Sequence, residues 1–115
     1  MNELARVEAR DLAGARLVRV SGEVDLSNAR DVMDAIAGAV THDASVVVVD
    51  LGATTYLDSA GIAMLFRLAE RLSHRRQELR LVVPATAPTR AVLELTNVDR
   101  VIPVQESIGE TPNLS

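Results

Sequence analysis

The sequence predicts an α/β domain with one mixed, mostly parallel sheet of four to five strands and helices packed against it. Three observations carry that prediction. Residues 46–51, Val-Val-Val-Val-Asp-Leu, form an apolar run bounded by turn residues, as a strand covered on both faces requires. Ala29, Val32, Met33, Ile36 and Val40, and again Ile62, Leu65, Phe66, Ala69 and Leu72, recur at helical spacing. Strands and helices alternate after an opening hairpin, and 115 residues are enough for one core.

In chain order, residues 7–10 form a first strand, Asp11-Leu12-Ala13-Gly14 supplies turn chemistry, and residues 16–21 alternate as a second strand. Residues 22–27 read as a loop. Ser27 or Asn28 then caps the first helix, and Asp31 and Asp34 lie near its positive end. Residues 45–51 are the third strand, and a second helix runs from Ser59 to about residue 75. Residues 79–83 form a fourth strand, stopped by Pro84. Pro88 suits the first turn of a third helix that extends to about residue 96, with Asn97 in the left-handed position beyond it. Residues 101–104 make a short last strand that Pro103 confines to an edge. The domain is expected to span residues 1–105, with 106–115 a flexible tail that has little to bury. Strands joined through helices run parallel by right-handed crossovers, and binding loops gather beyond their carboxyl ends. Residues 22–27 and 54–59 therefore share one edge.

Composition excludes several classes of function. The net charge is −4 and all 12 basic residues are arginine, without the basic stripe of a nucleic-acid binder. Aromatic content of 2% leaves nothing on which to stack bases. Mean hydropathy is +0.15, yet no apolar stretch approaches the roughly 20 residues that span a membrane. Residues 1–8 lack a basic region followed by an apolar core, so no signal peptide is expected and the location is read as cytoplasmic. Without cysteine there is no disulfide, thiolate nucleophile or cysteine-bound metal. His74, Arg75 and Arg76, with Arg71 and Arg80, read as a solvated helix end favoured by the dipole.

The chemistry concentrates on Ser59, between a buried strand and a helix. A nucleophile elbow needs G-x-S-x-G, but Leu57-Asp58-Ser59-Ala60-Gly61 lacks the first glycine, and His42 and His74 fall at the far helix ends. A P-loop is excluded by the absence of lysine. Asp50 ends a strand as a receiver's phosphoacceptor does, but the required lysine is missing, so it reads as a residue bonding loop backbone. Asp25 and Asp58 are too few for a dedicated metal site. On local pattern Ser59 is either a plain N-cap or a modifiable serine, with the cap favoured.

A resemblance changes that balance. Gly22-Glu23-Val24-Asp25 with Asn28-Ala29, Val49-Asp50-Leu51, Leu57-Asp58-Ser59-Ala60-Gly61 and Leu93-Glu94-Leu95-Thr96 together resemble the STAS domain, in particular bacterial anti-sigma factor antagonists. The resemblance covers residues 7–104, with the motifs in the family's order and spacing. It implies that Ser59 is phosphorylated by a partner that is both anti-sigma factor and serine kinase. The unphosphorylated antagonist binds that kinase and frees the sigma factor, and a phosphatase acting on phosphorylated Ser59 resets the switch. ATP and magnesium belong to the kinase, so no cofactor is expected here, and self-association is left open. The implied partner surface comprises Asp25, Ser27, Asn28, Tyr56, Leu57, Asp58, Ala60, Gly61 and Met64. Met64 is taken as a surface residue because Ile62 fits the core face. Two departures stand out: Asn97 occupies a place where the family often has glycine, and Leu26-Ser27 lies in a loop whose variation bears on partner choice. The alternative that keeps the fold is a STAS scaffold subunit of a stress-signalling or lipid-transport complex without a phosphoswitch.

Overall fold

The opening hairpin is longer than its alternation suggests. In the computed structural model, which describes residues 4–110, β1 (Ala5–Leu12) pairs antiparallel with β2 (Ala15–Val24), from Ala5↔Gly22 to Leu12↔Ala15. Ala13-Gly14 turns the chain, with Gly14 at φ +72°. β2 does not stop at Ser21: Gly22, Glu23 and Val24, read from sequence as loop, remain in the strand. Gly22 makes this possible. It adopts φ +94° beside a register shift at Gly22/Glu23, and a Cβ there would lie 2.2 Å from the Leu4 carbonyl oxygen.

The extra length of β2 gives a further strand its edge. β3 (Val46–Asp50) pairs parallel with β2 over Ala15–Arg19 and then leaves it. After a short turn, β4 (Thr54–Leu57) pairs parallel with Gly22–Val24 along the edge that β3 has vacated. This corrects the reading of residues 54–59 as loop. Thr54 is fully buried and its Oγ1 donates to the Val20 carbonyl at 2.7 Å, which anchors the start of β4. With β5 (Glu78–Val82) and β6 (Val104–Gln105) the sheet has six strands among the described residues, not four to five, in the order β1-β2-β3-β5-β6 with β4 on β2, and only the hairpin is antiparallel.

β5 (Glu78–Val82) follows β3, and the edge strand β6 is Val104–Gln105, later than residues 101–104. Residues Val98–Arg100 instead form a 3-10 turn. Pro103 has no N–H for the ladder, but its carbonyl accepts from Leu81 N at 2.9 Å. α1 (Ala29–Ala39) and α2 (Ser59–Ser73) cover one sheet face, while α3 (Arg90–Leu95) starts after Thr89, not at Pro88. Asn97 adopts the expected left-handed conformation at φ +59°.

β3 is buried on both faces, as its apolar run implies. Val47 and Val49 join Val18, Val20, Leu81 and Val83 beneath Ile36, Leu65, Leu68 and Leu72. Val48 lies in a smaller cluster with Leu17 and Val82, against which Ile108 packs. Ile108 belongs to a 3-10 turn, Ile108–Glu110, inside the expected tail; residues 111–115 of that tail lie outside the described residues. Each fully buried leucine contributes about 2 kcal/mol by leaving water. Among the described residues no helix is long and apolar enough to cross a membrane.

Candidate functional site

Asp58, not Ser59, caps α2. Its backbone is extended (φ −95°, ψ −171°), and its Oδ1 accepts from Gly61 N at 3.0 Å. Aspartate is at least as good a cap as serine and adds a favourable charge at the helix start, so the cap falls one residue earlier than expected. Ser59 becomes the first helical residue: exposed, with no hydrogen-bond partner for its hydroxyl among the described residues. It is thus relieved of the structural task that local pattern assigned to it.

Asp58 also ties together the two loops expected at this edge. Its Oδ2 accepts from Leu26 N at 3.2 Å, and its own N–H donates to the Val24 carbonyl at 3.3 Å. Gly61 allows this close approach of helix and sheet, since a Cβ there would lie 2.5 Å from Leu57 Cδ1 and 3.3 Å from the Val24 carbonyl oxygen. The β2–α1 loop is braced within itself. The Asp25 carboxylate accepts from Ser27 N at 2.9 Å and from Ser27 Oγ at 2.5 Å. Asn28 occupies the cap position of α1, yet its side chain faces back into the loop: Oδ1 accepts from Asp25 N and Nδ2 donates to the Glu23 carbonyl. Asp25, Ser27 and Asn28 therefore shape the loop by holding one another.

Around Ser59 the surface has two depressions separated by Leu26 and Asp58. One is an open groove of about 670 Å³ between α1 and α2, whose lining includes Leu26, Ala29, Arg30, Met33, Ser59, Ala60, Met64 and Arg67. The other, about 410 Å³, is lined by Asp25, Leu26, Ser27, Tyr56 and Asp58. Leu26 is 83% exposed and Tyr56 50% exposed, two large apolar groups facing solvent beside a polar serine. Two expected contact residues lie deeper than the sequence reading placed them. Met64 is 3% exposed, because α1 packs across α2 and widens its buried face to include both Ile62 and Met64; it forms groove floor, not surface. Leu57 is buried beneath Gly61. Ala60 sits at the groove, and Gly61 is buried.

The sequence reading overlooked Arg30 and Arg67. Ala60, Ala63, Met64 and Arg67 fall at i, i+3, i+4 and i+7, one stripe of α2, and that spacing was available to show Arg67; Arg30 lies on α1 and had no such signal. Asp50 behaves as expected, accepting from Gly52 N at 2.8 Å through Oδ1 and from Arg19 Nε at 3.2 Å through Oδ2. Neither histidine approaches the serine: His74 ends α2 and His42 follows α1. No cluster suited to a metal ion occurs among the described residues. What the arrangement offers is an accessible hydroxyl on a rigid edge, flanked by apolar contact area.

Comparison with known proteins agrees with this architecture. The chain is 28% identical over 95 residues to the anti-sigma-F factor antagonist RsfB of Mycobacterium tuberculosis, covering 82% of this chain and 75% of the relative. It is similar to the crystal structure of an anti-sigma factor antagonist from Mycobacterium paratuberculosis, with TM-score 0.80 and 28% identity over 92% of this chain and 89% of the other. The unphosphorylated form of the anti-sigma factor antagonist SpoIIAA, from Bacillus, shares the fold at TM-score 0.68 and 15% identity, over 91% of each chain. The STAS domain model matches residues 6–111, all of the sheet but its first residue and all three helices, and the chain belongs to the STAS domain family.

Proposed function

We propose that this protein is a cytoplasmic, non-enzymatic anti-sigma factor antagonist whose unmodified form binds an anti-sigma factor serine kinase through the Ser59 edge. Phosphorylation of Ser59 ends that binding, and a phosphatase restores it. The observation that carries the reading is the division of labour between neighbours: Asp58 caps α2 and leaves the Ser59 hydroxyl exposed and unpartnered. The names of the mycobacterial relatives support the assignment to this class of regulator.

In the transfer step, Ser59 Oγ bonds to the γ-phosphorus of the kinase's ATP as the β–γ bridging bond breaks and ADP leaves. The hydroxyl proton passes to a base on the kinase. On this chain the neighbouring Asp58 carboxylate is turned to the Gly61 and Leu26 N–H groups. The product carries about −1.5 to −2 charges in a contact region built for a hydroxyl. A loss of about 3–4 kcal/mol at that interface weakens binding by two to three powers of ten. The fold tolerates the change because residue 59 is exposed.

The test is incubation with the candidate kinase and ATP, followed by phosphosite mapping. Phosphate confined to residues other than Ser59 would remove the central claim. Ser59→Ala is expected to keep partner affinity and Ser59→Asp to weaken it; equal affinities would count against charge-gated binding.

A further inference from the structure

Five arginines of this domain hold a carboxylate: Arg16 with Asp11, Arg19 with Asp50, Arg71 with Asp34, Arg80 with Glu78 and Arg90 with Glu94. Of the seven that hold none, Arg30 and Arg67 line the groove beside Ser59. Among the described residues neither makes an ion pair or a side-chain hydrogen bond, although they line one groove from opposite helices. Arg30 is also poorly placed for its own helix. It is the second residue of α1, where the helix dipole opposes a cation. The one carboxylate lining the groove, Asp58, has both oxygens engaged by the Gly61 and Leu26 N–H groups. Two uncompensated cations therefore share a cavity with Ser59.

We propose that Arg30 and Arg67 form the receptor for the phosphoryl group on Ser59, drawing it into the α1–α2 groove. The inference rests on Ser59 being the modified residue. A phosphoserine brings three acceptor oxygens and nearly two negative charges next to Asp58. Asp58 cannot swing aside without uncapping α2, and it already occupies the Gly61 N–H that a phosphate would otherwise take. Countercharge must then come from side chains, and a guanidinium fork suits phosphate. Other charges near the rim are committed or distant: Asp25 accepts from Ser27, Asp34 pairs with Arg71, and Asp31 lies about 200° around α1 from Ala29. In this arrangement phosphorylation does more than repel a partner. It occupies one end of the groove and removes two free cations from the surface that the unmodified protein presents.

The experiment uses the full chain with phosphoserine installed at residue 59 during translation, with no kinase involved. The second phosphate ionisation, near pH 6 in free phosphoserine, is followed by phosphorus NMR. It is expected about 0.5–1 unit lower than in a phosphopeptide of residues 55–63, because the arginines favour the dianion. In the Arg30→Gln/Arg67→Gln double variant it should rise to or above the peptide value, since Asp58 remains. Arg30→Lys/Arg67→Lys should recover part of the shift. Identical titrations for the parent and the glutamine variant would overturn the proposal, as would a parent value at or above that of the peptide. If the glutamine variant lost its fold, the comparison of parent with peptide would decide alone. Loss of partner affinity in the unmodified glutamine variant, with an unchanged phosphate titration, would also overturn it and assign the arginines to acidic groups of the partner. A kinase that ignores Ser59 would sink the proposed function and leave this titration result standing.

Discussion

Replacing Asp58 with alanine tests whether one carboxylate holds the whole Ser59 edge. The side chain makes two hydrogen bonds, to Gly61 N at 3.0 Å and to Leu26 N at 3.2 Å. Loss of an aspartate cap costs about 1 kcal/mol, and loss of a second bond to an ionised acceptor about as much again. The expected destabilisation is about 2 kcal/mol. An unfolding entropy near 2.1 cal/mol/K per residue makes that a fall of roughly 8 °C in Tm for a chain of this length. Urea denaturation followed by circular dichroism measures the first quantity and calorimetry the second. Hydrogen exchange supplies the local signature: the Gly61 and Leu26 amides should lose protection, while core amides of β3 fall only by the global amount. Asp58→Asn keeps an acceptor and should retain more than half of the lost stability. A change below about 0.5 kcal/mol for Asp58→Ala, the level of an ordinary surface substitution, would refute the assignment of Asp58 as cap and bridge.

Four further substitutions probe other parts of the frame. Gly22→Ala should cost more than about 2 kcal/mol, since it forces a side chain into φ +94° and against the Leu4 carbonyl; urea denaturation within 0.5 kcal/mol of the parent, the scale of a neutral surface change, would contradict that geometry. Asp50→Ala should cost about 2 kcal/mol and expose the Gly52 amide to exchange, whereas Arg19→Ala, half-exposed at its end of the ion pair, should cost well under 1 kcal/mol. Tyr56→Ala should leave Tm nearly unchanged and weaken partner binding about tenfold, read by calorimetric titration; unchanged affinity would remove the β4 edge from the docking surface.

α1, α2 and β3 were legible in the sequence because their patterns are long. Ile36, Ile62, Leu65 and Leu72 reach the core as their spacing requires, whereas Phe66 and Ala69 are only partly buried and Leu68, which the spacing list passed over, is fully buried. β4 was not, although Thr54, Thr55, Tyr56 and Leu57 are all residues favoured in strands. Its burial runs in, out, out, in, so the alternation that marks a strand is missing over four residues. The strand exists only because β2 runs on past Gly22, a tertiary circumstance with no local signal of its own. Met64 was misplaced for a related reason: the sequence showed one face of α2 against the sheet and could not show α1 lying across it. At Ser59 the motif located the edge but exchanged the roles of two neighbours, and hydrogen-bond geometry was needed to assign the cap to Asp58.

β4 is hydrogen-bonded to β2 and to no other strand. The position of Ser59 in space is therefore inherited from the hairpin through β2, and every ladder contact that sets it comes from residues before 60. β5 reaches the serine less directly, through its ladder with β3, the Leu51 N–H that donates to the Val82 carbonyl at 2.9 Å, and the packing of Leu81 and Val83 in the shared core that Leu93 of α3 also joins. Lengthening the exposed stretch at Ala85 and Thr86 is expected to reshape the far side of the domain more than the serine edge. The serine edge is thus set by the first half of the chain, and the later elements brace it from the far side of the sheet.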